Sequence, residues 1–400
     1  MSDTGTSLHQ AHTNGHVDPH APAEQAAAPP AYRRIVVKFG TNLLTAGTDR
    51  LDLEAVAHLV SQVARLHQAG HQIIVVSSGA VAAGRYRLGM VRTRRKDIPF
   101  KQVLAAVGQS RLMDAYDQLF SWHGIIVAQA LLTKNDLSDR VGYLNARNTL
   151  LALLDLEVIA IVNENDVVAV DELVDARFGD NDTLSALVAN LVDADVLVIL
   201  TDIAGLYTAD PKRHADARLI PRVETIDASI EALARGTSSD RGTGGMLTKL
   251  QAARLATASG VAVVIADGHA PHALERIAAG EPLGTYFAPA GSGLESRQRW
   301  MLASVSRRDA VVVDPGAAAA LRERHTSLLP AGITEVRGDF QRGDIIAILD
   351  REGIRIACGI ANYPATDLVR IKGHRSSQIE TVLGHHYGAE VVHRNNLVVV

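Results

Sequence analysis

The run Ile35-Val36-Val37, closed by Lys38-Phe39-Gly40, is a β-branched segment ending on a glycine and predicts a buried strand that opens into a loop. Leu53, Val56, Val60, Val63 and Leu66 follow at steps of three and four, the period of one helix face, and Gly70 supplies the stop. Ile73-Ile74-Val75-Val76 predicts a second strand running into the small-residue turn Ser77-Ser78-Gly79-Ala80. Strand, helix and strand in that order make a βαβ unit, whose right-handed crossover implies a parallel sheet. The same rhythm predicts helices near 102–120, 144–154, 182–191 and 249–258, and strands near 125–128, 158–162, 196–200 and 261–265. The expected fold class is α/β, a mainly parallel central sheet flanked by helices.

The pattern changes at both ends. Residues 1–31 hold His9, His12, His16 and His20 among Ala, Pro and Gly with no apolar period, which predicts a disordered tail. A helix there would gather the histidines for a metal, but Gly15, Pro19 and Pro22 argue against one. The tail has neither the basic start and apolar core of a secretory signal nor the arginines of a transit peptide. Ala288-Pro289-Ala290-Gly291-Ser292-Gly293 has the composition of a linker. Beyond it, short apolar runs at 310–313, 345–349, 354–357 and 397–400 are separated by the turns Arg342-Gly343-Asp344 and Arg351-Glu352-Gly353, as in a small β-rich domain. The expected division is a tail to 31, an α/β domain over 32–290, a linker over 291–307 and a β-rich domain over 308–395.

Composition narrows the partners. The 400 residues are 47% apolar and 21% charged, without an apolar stretch of membrane-spanning length. The 40 basic against 44 acidic side chains lack the cationic excess of a dedicated nucleic-acid binder, and from Asp309 onward 11 acids outnumber 10 bases. Cys358 is the single cysteine, which excludes an intramolecular disulfide and a multi-cysteine zinc site and suits a cytoplasmic location. The basic run Arg92-Thr93-Arg94-Arg95-Lys96, near Arg85 and Arg87, reads better as a solvated face or subunit contact than as an RNA patch.

In a parallel α/β sheet, ligands sit beyond the carboxyl ends of the strands. The segments there are Lys38-Phe39-Gly40-Thr41-Asn42, Ser78-Gly79-Ala80, Asn163-Glu164-Asn165-Asp166 and Thr201-Asp202-Ile203-Ala204-Gly205. Two more, Gly179-Asp180-Asn181-Asp182 and Gly242-Thr243-Gly244-Gly245-Met246-Leu247-Thr248-Lys249, lead into helices. Glycines before a helix start bring backbone N–H groups and the positive end of the dipole to an anion, and Lys249 adds a full charge, so the guest fitted is a phosphate. The residues alone leave other readings open: Asp166 and Asp182 serve equally as helix caps, Ser78-Gly79 as a plain turn, and the glycine run as a surface loop with a solvated lysine. Lys38, charged at the end of an apolar strand, argues more strongly for function. Gly-Lys never occurs as a dipeptide, so there is no Walker A loop, and no Gly-x-Gly-x-x-Gly follows the first strand.

Taken in order and spacing, Val37-Lys38-Phe39-Gly40-Thr41, Ser77-Ser78-Gly79-Ala80-Val81-Ala82-Ala83-Gly84, Asn163-Glu164-Asn165-Asp166 with Gly179-Asp180-Asn181-Asp182, and the Gly242 to Lys249 segment resemble the glutamate 5-kinases of the amino-acid kinase superfamily. Lys101-Gln102 through Gly108-Gln109-Ser110-Arg111-Leu112 and Leu144-Asn145-Ala146-Arg147 resemble further segments of that family. The resemblance covers about 33–395, and the β-rich end resembles the PUA domain that many members carry, with RNA binding implied only at the level of that domain. It implies an amino-acid kinase fold and ATP-dependent phosphorylation of the γ-carboxylate of L-glutamate to L-glutamyl 5-phosphate, the first step of proline biosynthesis.

By the same resemblance Lys38 and Lys249 stabilise the transferring phosphoryl group and Asp182 positions them. Ser78, Asp166 and Asn181 bind glutamate, Asp166 meeting its ammonium. Lys38, Thr201, Asp202 and the loop of Thr243, Gly244, Gly245, Met246, Leu247, Thr248 and Lys249 contact ATP. Mg2+ is expected on the ATP phosphates and water, with no protein metal ligand. Proline as a feedback inhibitor and a homo-oligomer built through the kinase domains complete the expectation. Two departures stand out: residues 167–178 run longer than in relatives, with Val174-Asp175-Ala176 as the extra residues beside the glutamate site, and Asn42 replaces a small hydroxyl residue. A kinase for another acceptor fits the Asn163-Glu164-Asn165-Asp166 segment less well, and a vestigial RNA-binding protein has no reason to keep these lysines and glycines.

Overall fold

The computed structural model describes residues 32–90, 98–169, 181–235, 245–291, 301–302, 305 and 308–400. The expectations for the tail, for 92–96, for most of the linker, for 174–176, and for Gly179, Asp180 and 242–244 lie outside those residues.

From the amino end come β1 (Arg34–Phe39), α1 (Thr41–Leu44), α2 (Leu53–Gln68), β2 (Gln72–Val76), α3 (Ala80–Arg87), α4 (Ile98–Ser121), β3 (Val127–Leu132), α5 (Lys134–Ser138), α6 (Arg140–Asp155) and β4 (Ile159–Glu164). They are followed by α7 (Asn181–Leu191), β5 (Val196–Thr201), β6 (Arg222–Val223), α8 (Ala228–Arg235), α9 (Met246–Ala258), β7 (Ala262–Asp267), α10 (Ala273–Ala278) and β8 (Thr285–Phe287). These strands form one eight-stranded sheet in the order β3-β4-β2-β1-β5-β7-β8-β6, parallel throughout except for the antiparallel pair β7–β8.

Strand alternation decides what lies above and below. Ile35, Val37 and Phe39 pack into one apolar layer with α2, α4 and α10, whereas Val36 enters the opposite layer with α6, α7 and α9. Period two therefore aims Lys38 towards the side of α7 and α9. β1 pairs with β2 on one flank and β5 on the other, so the strand order reverses there and leaves a crevice at the carboxyl ends of β1 and β5.

The C-terminal part contains β9 (Ala310–Val313), α11 (Pro315–Arg324), β10 (Ile333–Arg337), β11 (Ile345–Leu349), β12 (Arg355–Ile360), α12 (Ala365–Ile371), α13 (Ile379–Leu383) and β13 (Leu397–Val399). Its five strands run β10-β9-β11-β12-β13 around a separate apolar core. A small third cluster joins the two sheets: Leu144 of α6 packs with Met301, Ile345, Cys358, Ile360 and Val398. Residues from Ala31 onward thereby form one compact unit.

Three strands had no counterpart in the pattern. β6 and β8 are two and three residues long, too short to display a period, and β10 buries only its first side chain fully. β3 lies later than the apolar run Ile125-Ile126 suggests, because Gln129 continues a strand whose outer edge is exposed.

Candidate active site

Lys38 leaves the carboxyl end of β1, Lys249 the first turn of α9, and Asp182 the first turn of α7. The three meet. Lys38 Nζ lies 2.6 Å from Asp182 Oδ1 and Lys249 Nζ 3.0 Å from Asp182 Oδ2. Thr248 Oγ1 donates to the same Oδ2 at 2.9 Å. Relative exposures of 3%, 5% and 0% for Lys38, Lys249 and Asp182 put all three charges out of water. Two buried ammonium groups thus converge on one carboxylate, a setting that attracts an anionic guest. Asp182 is thus committed to the lysines rather than spent as a helix cap.

Gly245 precedes α9 in an extended conformation, and Met246, Leu247, Thr248 and Lys249 form the opening turn; the Lys249 N–H donates back to the Gly245 carbonyl at 3.5 Å, and the N–H groups ahead of it point out of the helix's start. Gly79 takes φ +94°, a left-handed conformation suited to glycine, and starts α3 directly after Ser78. Asn181 Nδ2 donates to Ser78 Oγ at 3.1 Å, bringing two of the sequence-designated acceptor positions together across the sheet end. The Asn181 Oδ1 and Gln109 Nε2 atoms are buried without a hydrogen-bond partner among the described residues, one an acceptor and one a donor. Asp166 lies half-buried in the turn after β4.

On the other side of the crevice, Thr201 closes β5 and donates to Asp202 Oδ1 at 3.1 Å, while Asn42 Nδ2 donates to Asp202 Oδ2 at 3.0 Å. Burial works against the Asp202 charge, yet the Asn42 amide, the residue's own N–H, the Thr201 hydroxyl and nearby Lys249 outweigh it and hold the carboxyl below its ordinary range. Asn42 therefore ties β1's loop to β5's. Of the sequence-designated residues, Thr243 and Gly244 lie outside the described ones. Sequence reasoning left unassigned the contacts of Thr248 with Asp182, Gln109 with Asn163 and Tyr116 with Ser77; in each, a polar group in a helix that packs on the sheet was the available signal.

No group of three or more His, Cys, Asp or Glu side chains suited to a metal ion occurs among the described residues. No helix among them is long and apolar enough to cross a membrane.

The crevice at the strand reversal thus holds a buried lysine pair on one carboxylate and a glycine-led helix start. The family model described as the amino acid kinase family matches residues 33–267, and that of the PUA domain matches 309–383. The chain belongs to the amino acid kinase family. Within it, the chain is 58% identical over 369 residues to the glutamate 5-kinase of Dehalococcoides mccartyi, spanning 92% of this chain and 99% of that protein. It is 54% identical to the glutamate 5-kinase of Herpetosiphon aurantiacus, over 92% and 98% of the two chains. For the glutamate 5-kinase of Deinococcus radiodurans the identity is 51%, over 92% and 100%.

Proposed function

We propose that this chain transfers the γ-phosphoryl group of ATP to the γ-carboxylate of L-glutamate, giving L-glutamyl 5-phosphate and ADP, the first step of proline biosynthesis. The observation that carries this reading is the buried contact of Lys38 and Lys249 with one carboxylate, Asp182. Both reactants are anions, and the loose transition state spreads charge over the equatorial phosphoryl oxygens. Two preorganised ammonium groups in a dry site stabilise that charge, and Asp182 fixes the separation of their Nζ atoms. The substrate carboxylate is already ionised, so the chemistry needs no general base.

Ser78, Asn181 and Asp166 bind glutamate in this reading: Asp166 takes the ammonium, while the Ser78 hydroxyl and the Asn181 amide face the carboxylates. Thr201, Asp202 and the segment 243–249 hold ATP, with Lys38 reaching its phosphates. The donor set fits Mg2+ as a companion of ATP, since Asp182 is occupied by lysines and no acidic cage stands beside it among the described residues. When bound, the ion supplies neutralising charge to the phosphates. The same reading makes proline a feedback inhibitor and the protein a cytoplasmic homo-oligomer.

Purified protein with Mg-ATP, L-glutamate and hydroxylamine is expected to accumulate γ-glutamyl hydroxamate along with ADP. ADP release from ATP without any glutamate-dependent hydroxamate would overturn the assignment of the acceptor.

A further inference from the structure

Helix α4 carries a polar stripe that the reaction described above does not use. Gln102, Gln109 and Tyr116 are spaced by seven residues, nearly two full turns, so the three share one face of the helix with a slow drift. Each holds a different loop. Gln102 Nε2 donates to the Val167 carbonyl at 3.1 Å, in the turn that carries Asp166. Gln109 Oε1 accepts from Asn163 Nδ2 at 2.8 Å, while Asn163 Oδ1 accepts from the Glu164 N–H at 2.9 Å, so the Asn163 amide is fixed at both ends. Tyr116 Oη lies 2.9 Å from Ser77 Oγ, and the Ser77 hydroxyl in turn donates to the Ser78 carbonyl at 3.2 Å. Burial pushes the Tyr116 phenol above its ordinary value, so it stays neutral and able to donate.

The bland explanation is that Ser77 and Asn163, buried polar groups at strand ends, merely need partners. Partner choice argues for more. Every loop on the stripe belongs to the acceptor half of the site, the ends of β2 and β4, whereas Asp202 draws its partner from α1 and Lys249 its partner from α7. The helix is also locked in depth: a Cβ at Gly108 would stand 1.7 Å from the Ala80 carbonyl oxygen, and one at Gly84 1.8 Å from that of Leu104. α3 and α4 therefore cross backbone to backbone, and a shift of α4 moves the Ser78 turn with it.

We propose that α4 is the positioning element of the acceptor subsite, with Gln102, Gln109 and Tyr116 as positioning residues that set the placement of Asp166, Asn163 and Ser78. This rests on the glutamate reading above, and the test separates the two.

Steady-state kinetics are measured on the full chain for Tyr116→Phe, which removes a single oxygen, for Gln109→Met and for Gln102→Ala, together with thermal unfolding. The Tyr116 and Gln109 variants should raise KM for glutamate about three- to tenfold, the loss of one hydrogen bond, and leave KM for ATP within about twofold. Gln102→Ala lies in a more open position and should fold without difficulty, with a smaller change of the same kind. Unaltered glutamate KM in all three, or equal increases for both substrates, sinks the positioning role. An unmodified protein that turns over ATP but ignores glutamate sinks instead the reading on which it rests.

Discussion

A carboxylate that faces two buried ammonium groups cannot satisfy both by charge alone. Asp182 divides its oxygens, one to each lysine, and Thr248 adds a neutral donor to the second. The pull of these ammonium groups on an anion is strongest where water is excluded. Lys249→Ala is accordingly expected to lower kcat by about 10²–10³-fold, the cost of removing one donor aimed at transition-state charge. KM for glutamate should change by no more than about threefold if, as proposed, Lys249 acts on the phosphoryl group rather than the acceptor. A variant with intact turnover and weakened glutamate binding would assign Lys249 to the other subsite. Much of this site was legible, since Lys38, Lys249 and Asp182 sit in segments whose spacing is distinctive. The arrangement was not: a sequence shows that Asp182 opens a helix but not that α7 begins beneath the end of β1, and that placement turns a cap residue into a bridge.

At the scale of elements, burial of one face gave the long helices their period and burial of both faces gave the central strands their continuous apolar runs, so both were located. Periodicity failed for β6 and β8, whose pairing depends on partners distant in the chain, and for the polar stripe on α4, where a seven-residue spacing of Gln, Gln and Tyr has no apolar signature. Another local device is His393. It caps the helical turn Arg394–Asn396 by accepting the Asn395 N–H at 3.2 Å, a bond that needs an unprotonated Nδ1. Burial lowers its pKa below the ordinary 6.5; Arg394 and Arg147 act in the same direction, against Glu390 and Asp155. A depressed folded value means that the unfolded chain binds the extra proton first. The contribution is whole above 6.5 and is lost as pH falls from there through the lower folded value. Urea midpoints taken from about pH 5 to 8 should decline on the acid side for the parent protein and decline less for His393→Asn, which keeps a capping acceptor without the titration. Parallel curves would rule His393 out as the source.

For the whole molecule the decisive side chain is Arg147, fully buried on α6. Its guanidinium donates to Asn396 Oδ1 at 2.6 Å and to the Asn395 carbonyl at 2.7 Å, pairs with Asp193 at 2.6 Å, and reaches the Leu191 carbonyl. Asn396 answers by donating to Asn148 Oδ1 at 3.0 Å. On the same helix Asn145 accepts from Arg342, and Arg140 pairs with Asp344. The two sheets are therefore joined by charge-assisted bonds as well as by apolar contact. Arg147→Ala leaves buried acceptors on both sides without donors, at about 1–3 kcal/mol each. Unfolding in urea should shift to lower concentration and separate into two transitions, followed by tryptophan fluorescence and far-UV dichroism. A single transition at the original midpoint would show the joint to be dispensable. The segment Leu144-Asn145-Ala146-Arg147 stood out in the sequence, but its meaning depended on knowing that Asn395 and Asn396 return to α6.

The distances along the chain at which these bonds close set a timetable for synthesis. Lys38 leaves the ribosome long before Lys249, 211 residues later in the sequence. At about 5–20 residues per second that interval is roughly 10–40 s. Arg147 waits longer still for part of its shell: Asp193 follows 46 residues later, but Asn396 lies 249 residues downstream. A growing chain thus holds one lysine and one arginine whose full set of partners is not yet made. Until Asn396 is made, the joint between the two sheets lacks a buried acceptor, and the chain depends on whatever shields exposed nascent surfaces.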